Sequence, residues 1–328
     1  MMDALRLIVL SRPRRCAASG AAKALRALML GAGLAGGVLM GQSVTAPAAH
    51  AQAADSGAVL QVVDRINGEL KLMYRASLRD IPDKGRENMR TRQPRHVYQK
   101  LRSTYMQLQL FRWLSGEPRK TPEPLPLRQI TPGEVLELTE TFLSDLRDVK
   151  PAYFLAKTVA EPEKRSNVTP TDVFEALTYS EQLLLGMDMP ATVPNDVYQL
   201  ALMLLEDARS LHRAIKGGDA GVDLALTTTG KVPADAYDAS MTVLDTLSAL
   251  TDSGKLSIPA GVVRPARPGT ITPNSVMRLM GDILADLNAA KISAGVSEQT
   301  EMPPSQSGKT PSNVVDVLIT TNRILSAI

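Results

Sequence analysis

Apolar residues recur along this chain at the spacing of a single helix face. After Pro194 they fall at Val197, Leu200, Ala201, Leu204, Leu205, Ala208 and Leu211. After Pro233 they fall at Ala236, Ala239, Val243, Leu244, Leu247 and Leu250, and after Pro273 at Val276, Leu279, Met280, Ile283, Leu284 and Leu287. Steps of three and four residues put these side chains on one wide stripe, which predicts helices of about 17 to 20 residues. Each stripe opens with the same phrase, centred on Pro94, Pro132, Pro170, Pro194, Pro233, Pro273 and Pro311. These prolines lie 38, 38, 24, 39, 40 and 38 residues apart, a near-fixed period that marks a repeat architecture.

The phrase reads as a helix start. In Thr131-Pro132-Gly133-Glu134 the threonine is a good N-cap, and proline at the first helical position needs no amide donor. The acidic residue at the third position can reach back to the cap amide and favours the helix dipole. Thr169, Pro170 and Asp172 repeat this, and Ile130/Val135, Val168/Val173 and Ile271/Val276 supply hydrophobic staples. An N-terminal helix without the phrase is predicted from about Gly57 to Leu78.

The stretches between helices run to about 20 residues, where bundled helices normally need two to eight. They are rich in proline and glycine, as in Leu256–Gly269, Pro303–Gly308 and Gly217–Gly230. Either each is an extended strap that lets successive helices run the same way, or each hides a short second helix as in a solenoid. Pro259, Pro265 and Pro268 favour straps in their linker, whereas Val222–Leu226 could form one helical turn. The short 24-residue step from Pro170 to Pro194 predicts a tight antiparallel hairpin of two helices. The expected fold is all-α, a helical repeat or bundle of about eight helices joined by long extended linkers. It occupies residues 52–328 as a single repeat domain.

Scarce aromatics and abundant Leu, Ala, Met and Val suit helix-on-helix packing. Residues 1–51 read as a secretory signal peptide. Six basic residues precede the apolar stretch Ala27–Met40, and Ala49-His50-Ala51 is a cleavage site of the A-x-A type. Cleavage there would remove six Lys/Arg and one Asp, taking the formal charge from +3 to −2, and would remove Cys16, the one cysteine. No general affinity for nucleic acid follows from such a charge. A processed chain would hold no disulfide and no thiolate chemistry. A bacterial periplasm is the expected location, and no later stretch reads as a transmembrane segment.

No motif for nucleophilic catalysis, nucleotide binding or metal ligation stands out, so no catalytic residue, cofactor or metal site is expected. His96 and His212 read as capping or surface residues. Glu134, Asp172, Asp196 and Asp235 read as capping groups rather than catalytic carboxylates, because they hold a fixed place in the phrase. The bulky residues four after each proline (Tyr98, Leu136, Phe174, Tyr198, Tyr237, Met277 and Val315) read as core. Gly217-Gly218-Asp219 reads as a helix stop. One charge asymmetry remains in segment 84–120. Lys84, Arg86, Arg90, Arg92, Arg95, Lys100 and Arg102 face only Glu87 in sequence, with Arg112, Arg119, Lys120 and Trp113 following. The bland reading is a solvated face; the sharper one is a docking surface for an anionic envelope component or an envelope protein. The expected function is a non-catalytic binding or scaffold protein of the cell envelope, with a small-ligand-binding or sensory helix bundle as the alternative and an enzyme of unrecognised type as a third. The first repeat, where Gln93 and His96 replace the usual cap residues, is where a working end is expected.

Overall fold

A computed structural model of the chain describes residues 55–85 and 91–328. The expected leader, residues 1–51, lies outside them. The described residues form eight α-helices: α1 Ser56–Ala76, α2 Pro94–Leu114, α3 Pro132–Val149, α4 Pro170–Leu185, α5 Pro194–Lys216, α6 Pro233–Asp252, α7 Pro273–Ser293 and α8 Pro311–Ser326. Among the described residues there is no strand. All seven repeat prolines are the first residue of a helix, as the phrase predicts. At α3 and α4 both halves of the capping box close. Glu134 and Asp172 accept the cap amides of Thr131 and Thr169, and the threonine hydroxyls accept amides in return. Val193 and Val232 have no hydroxyl, so only the acid-to-amide half forms at α5 and α6.

The linkers are straps. Apart from one 3-10 turn, Lys150–Tyr153, their described residues contain no helix, including the Val222–Leu226 stretch. Six of them are 16 to 20 residues long. At about 3.3 Å per residue even the shortest can span some 50 Å, well beyond the roughly 30 Å of a 20-residue helix. A strap can therefore return the chain to the end where the previous helix began. It does so: Asn67 meets Ala176 and Tyr74 meets Leu183, so α1 and α4 are parallel. Tyr105 with Asp145 and Arg112 with Asp148 give the same sense for α2 and α3. Lys231 with Ser312 and Thr246 with Asn322 give it for α6 and α8.

The eight helices sort into two four-helix groups. In the first, α1 and α2 each pack on α3 and α4; in the second, α5 and α6 each pack on α7 and α8. Each group has its own apolar core, one centred on Ile66, Leu101, Phe142 and Leu177, the other on Leu204, Leu247, Ile283 and Leu318. The described residues nonetheless belong to one compact unit, joined through α2 and α7. The pairing scheme of α1–α4 is reproduced by α5–α8, the arrangement of a tandem duplication.

The hairpin expected at the short step does not form: α4 and α5 make no contact. The 24-residue step is instead the joint between the two groups. Its eight residues, 186–193, pass from the end of α4 to the start of α5 through Asp188, which has positive φ. Each helix buries its stripe in a different core.

Straps are fastened to helices by buried carboxylates. Thirteen residues after the first residue of α1, α3, α5 and α7 stand Glu69, Asp145, Asp207 and Asp286, all buried. Glu69 takes Lys150 Nζ at 2.8 Å and the Val159 amide, and Asp145 takes Lys120. Asp207 takes Lys291 Nζ at 2.6 Å and the Thr300 hydroxyl, and Asp286 takes the Val263 amide. Gly68 shows how closely a strap lies. A Cβ there would come within 2.9 Å of Val159 Cγ1.

Candidate anion-binding cleft

The basic segment does not form an outward face. Arg92, Lys100 and Arg102 are buried, and Arg95 nearly so. Lys84 is exposed and lies 3.3 Å from Glu175, while Arg86 and Arg90 lie outside the described residues. Arg102 donates through Nε to the Glu123 carbonyl, and burial holds its guanidinium below the usual range. Arg112 is buried against Asp145 and Asp148, and Arg119 stacks 4.7 Å over the Trp113 ring. The docking surface expected from sequence is therefore corrected for Arg92, Arg95, Lys100 and Arg102. These cations turn inward because α3, α4 and α7 supply carboxylates that the local sequence does not contain.

Arg92 and Arg95 find their partners in the other helix group. Arg95 Nε donates to Asp286 Oδ1 at 2.8 Å, and its two terminal nitrogens bind the Pro259 and Gly261 carbonyls of the strap before α7. His96 accepts the Gln93 amide at Nδ1, the capping role expected of it, and its Nε2 lies 3.1 Å from Asp286. His212 sits at the end of α5 with Nδ1 2.9 Å from the Gly218 carbonyl. Neither histidine belongs to a metal cluster among the described residues.

Arg92 and Lys100 face a cleft of about 410 Å³. Its walls come from α2, α4, α6, the strap 265–272 and α7, so both helix groups build it. Arg92 is placed by its own amide, which donates to Thr171 Oγ1, and its guanidinium lies 4.4 Å from the Phe174 ring centre. Arg92 Nη1 is 2.9 Å from Asp282 Oδ2, while its buried Nε has no hydrogen-bond partner. Lys100 Nζ lies 2.7 Å from Glu181 Oε2, and Arg278 Nε donates to the same oxygen at 2.5 Å. Thr178, Gln182, Thr270, Thr272, Asn274 and Ser275 add polar groups, and Phe174 and Tyr237 add aromatic walls.

Arg92 thus meets Asp282, while Lys100 and Arg278 meet at Glu181. Burial opposes ionisation of Glu181, but Lys100 and Arg278 overcome it and hold the carboxyl at about 2. Burial lowers Lys100 to about 8, opposed by Glu181, because two cations share one carboxylate. Burial raises Asp282 above the usual carboxylate range against the pull of Arg92 and His96. The cleft also receives the amino end of α7, where Ser275 fills the place that Glu134, Asp172, Asp196 and Asp235 fill in α3 to α6. That dipole end carries no acid of its own.

Such a site can accept an anion through charge-assisted hydrogen bonds from Arg92 and Lys100 and from the hydroxyls around them. Phe174, Tyr198, Tyr237 and Val315 are buried, as expected of the residue four after the proline, while Tyr98, Leu136 and Met277 are half-buried. Two of these expected core residues, Phe174 and Tyr237, also line the cleft. Compared with known protein families, curated proteins and solved structures, this chain matches none.

Proposed function

We propose that this chain is a non-catalytic binding protein of the bacterial envelope that holds a small anionic ligand in the cleft between its two helix groups. One observation carries the reading: the buried cations Arg92 and Lys100 face a cleft wide enough for a small molecule, and the buried Arg92 Nε has no hydrogen-bond partner. A buried donor left without a partner is unfavourable unless something compensates it, and a bound anion would do so. The polar groups converge from several elements on a partly apolar cavity, which is the usual build of a small-ligand site. The first expectation, an envelope binding or scaffold protein, rested on the repeats and the absence of catalytic motifs, with the basic segment as its expected docking face. With Arg92, Arg95, Lys100 and Arg102 turned inward, the small-ligand reading takes precedence. Export rests on the leader-like residues 1–51, and no described helix is long and apolar enough to cross a membrane.

Native mass spectrometry tests the proposal. Protein incubated with inorganic phosphate, citrate or glucose 6-phosphate should carry a one-to-one adduct with at least one of them. The adduct should vanish in the Arg92→Met, Lys100→Met double variant, with circular dichroism confirming that the variant is folded. No adduct with any probe, or one that survives in the double variant, would overturn it.

A further inference from the structure

The carboxyl end of the first helix group exposes large apolar side chains where the second group has glycine. Leu78 closes α1 and is 94% exposed; Phe154 closes the turn after α3 and is 97% exposed. Both adopt φ near +54°, a left-handed conformation that glycine takes freely and bulky residues do not. At the matching ends of the second group, α5 closes with Gly217 and α7 with Gly295, both at positive φ. Phe154 and Gly295 each fall twenty-two residues after the start of their helix, α3 and α7. The fold thus accepts glycine at these ends, and the first group instead carries backbone strain in order to display Leu and Phe to solvent.

Trp113 and Leu114, 57% and 49% exposed, end α2 beside them. Tyr153 ties the three helix ends together. Its ring lies 6.0 Å from that of Phe111, and it interacts with Ser115 and Arg79. These neighbours are one to three residues from Phe154, Trp113, Leu114 and Leu78, so the four apolar side chains share one end of the molecule.

We propose that this end docks on the surface of a lipid bilayer, with Leu78, Phe154, Trp113 and Leu114 inserted among the headgroups. Two features favour lipid over a protein partner. None of the four side chains lines any of the described cavities, so they stand as separate projections that a fluid apolar phase accommodates without shaped pockets. Around them Arg75, Arg119 and Lys157 are exposed and form no ion pair among the described residues, against Asp80 and Glu117, while the nearby acids Asp148 and Asp188 are already paired with Arg112 and Arg79, which suits anionic headgroups. Trp113 under Arg119 combines an apolar ring and a cation at the depth where tryptophan collects in membrane proteins.

The double variant Leu78→Gly, Phe154→Gly tests this without threatening the fold, because glycine relieves both left-handed positions. Protein lacking residues 1–51, which retains both cores, is floated with vesicles of phosphatidylcholine alone and of phosphatidylcholine mixed with phosphatidylglycerol. The native sequence should float with the mixed vesicles, and the variant's partition should fall at least about tenfold with its melting temperature unchanged or raised. Native protein that stays with neither vesicle, or a variant that floats equally well, would overturn the proposal. So would self-association in gel filtration that the variant abolishes while vesicle binding is absent, which would assign the patch to a second copy of the chain.

Discussion

Replacing Lys291 by Met strikes one of the four carboxylate fasteners directly. Lys291 and Asp207 are both buried, their charged atoms are 2.6 Å apart, and Asp207 also accepts from Thr300 on the strap before α8. Burial already raises the Asp207 carboxyl against the pull of Lys291. Without the lysine it becomes an uncompensated charge between α5 and α7, and breaking such a pair costs about 3–5 kcal/mol. Against a total stability of about 5–15 kcal/mol, that is a large fraction. The loss should depend on pH with a definite sign. In the variant the folded pKa of Asp207 lies further above its unfolded value, so protonation favours the folded state. The deficit should therefore be largest near neutral pH and shrink as pH falls through that raised value. Replacing both partners, Asp207→Leu with Lys291→Met, removes the charge and should recover at least about 2 kcal/mol of the deficit. Urea unfolding followed by circular dichroism, at neutral and mildly acidic pH, reads Lys291→Met, Asp207→Leu and the double variant. A Lys291→Met protein within about 0.5 kcal/mol of the native one, or additive single and double variants, would refute the view that this pair is a buried fastener.

Glu181 should make the protein acid-sensitive. Its folded pKa of about 2 lies below the ordinary 4.5, so its contribution is complete above about pH 4.5 and is lost as pH falls towards 2. A titration of stability should show that loss in the native protein and not in Glu181→Gln, which should already be several kcal/mol weaker near neutral pH because the buried Lys100 then lacks its carboxylate. The caps should rank by their chemistry. Thr169→Ala should lower stability by about 1 kcal/mol, whereas Val193→Thr, which supplies the missing acceptor at α5, should raise it by up to about 1 kcal/mol. If thermal melts show no difference in sign between these two, capping is not what the recurrent phrase contributes.

Much of this architecture is written locally. Cap, proline and acid act within one turn, so the starts of α2 to α8 can be read from residues alone, and strap length alone permits parallel neighbours. What fails is whatever depends on distant partners. The 24-residue step looks like a hairpin because a short connection usually joins helices that pack. Here α4 and α5 face separate cores, and the step is the joint of a duplication. The cluster around Arg92 looks like a basic surface because Asp282, Asp286 and Glu181 are far away in sequence. Arg92 and Lys100 did point to the candidate cleft, but as an outward face rather than as cations held between helices. One signal was available and easily overlooked. An acid recurs thirteen residues after Pro132, Pro194 and Pro273, beside the apolar stripe, where a solvated role is implausible. Its regular return in alternate helices marks the strap fasteners and the duplication together.

The duplication also gives the cleft its character. Three of the four fastening acids find their partners within their own helix group, whereas Asp286 recruits Arg95 and His96 from the other. That lock brings α2 against α7 and places Arg92 and Lys100 beside Arg278 and the amino end of α7. The cleft is therefore a product of the joining of two similar groups and has no counterpart within either.

Calorimetric titration of sulfate into the native protein and into Lys100→Met, near neutral pH and about two units higher, tests the anion cleft most directly. Sulfate keeps its charge across this range, while Lys100, at about 8, loses its proton. The account predicts one site per chain in the native protein, weakened by about tenfold at the higher pH as one charge-assisted hydrogen bond is lost. It predicts weaker binding by Lys100→Met at both values, with no such pH dependence. Sulfate that does not bind, or that binds native and Lys100→Met protein alike at both pH values, would contradict the claim that the cleft between the two helix groups is an anion site.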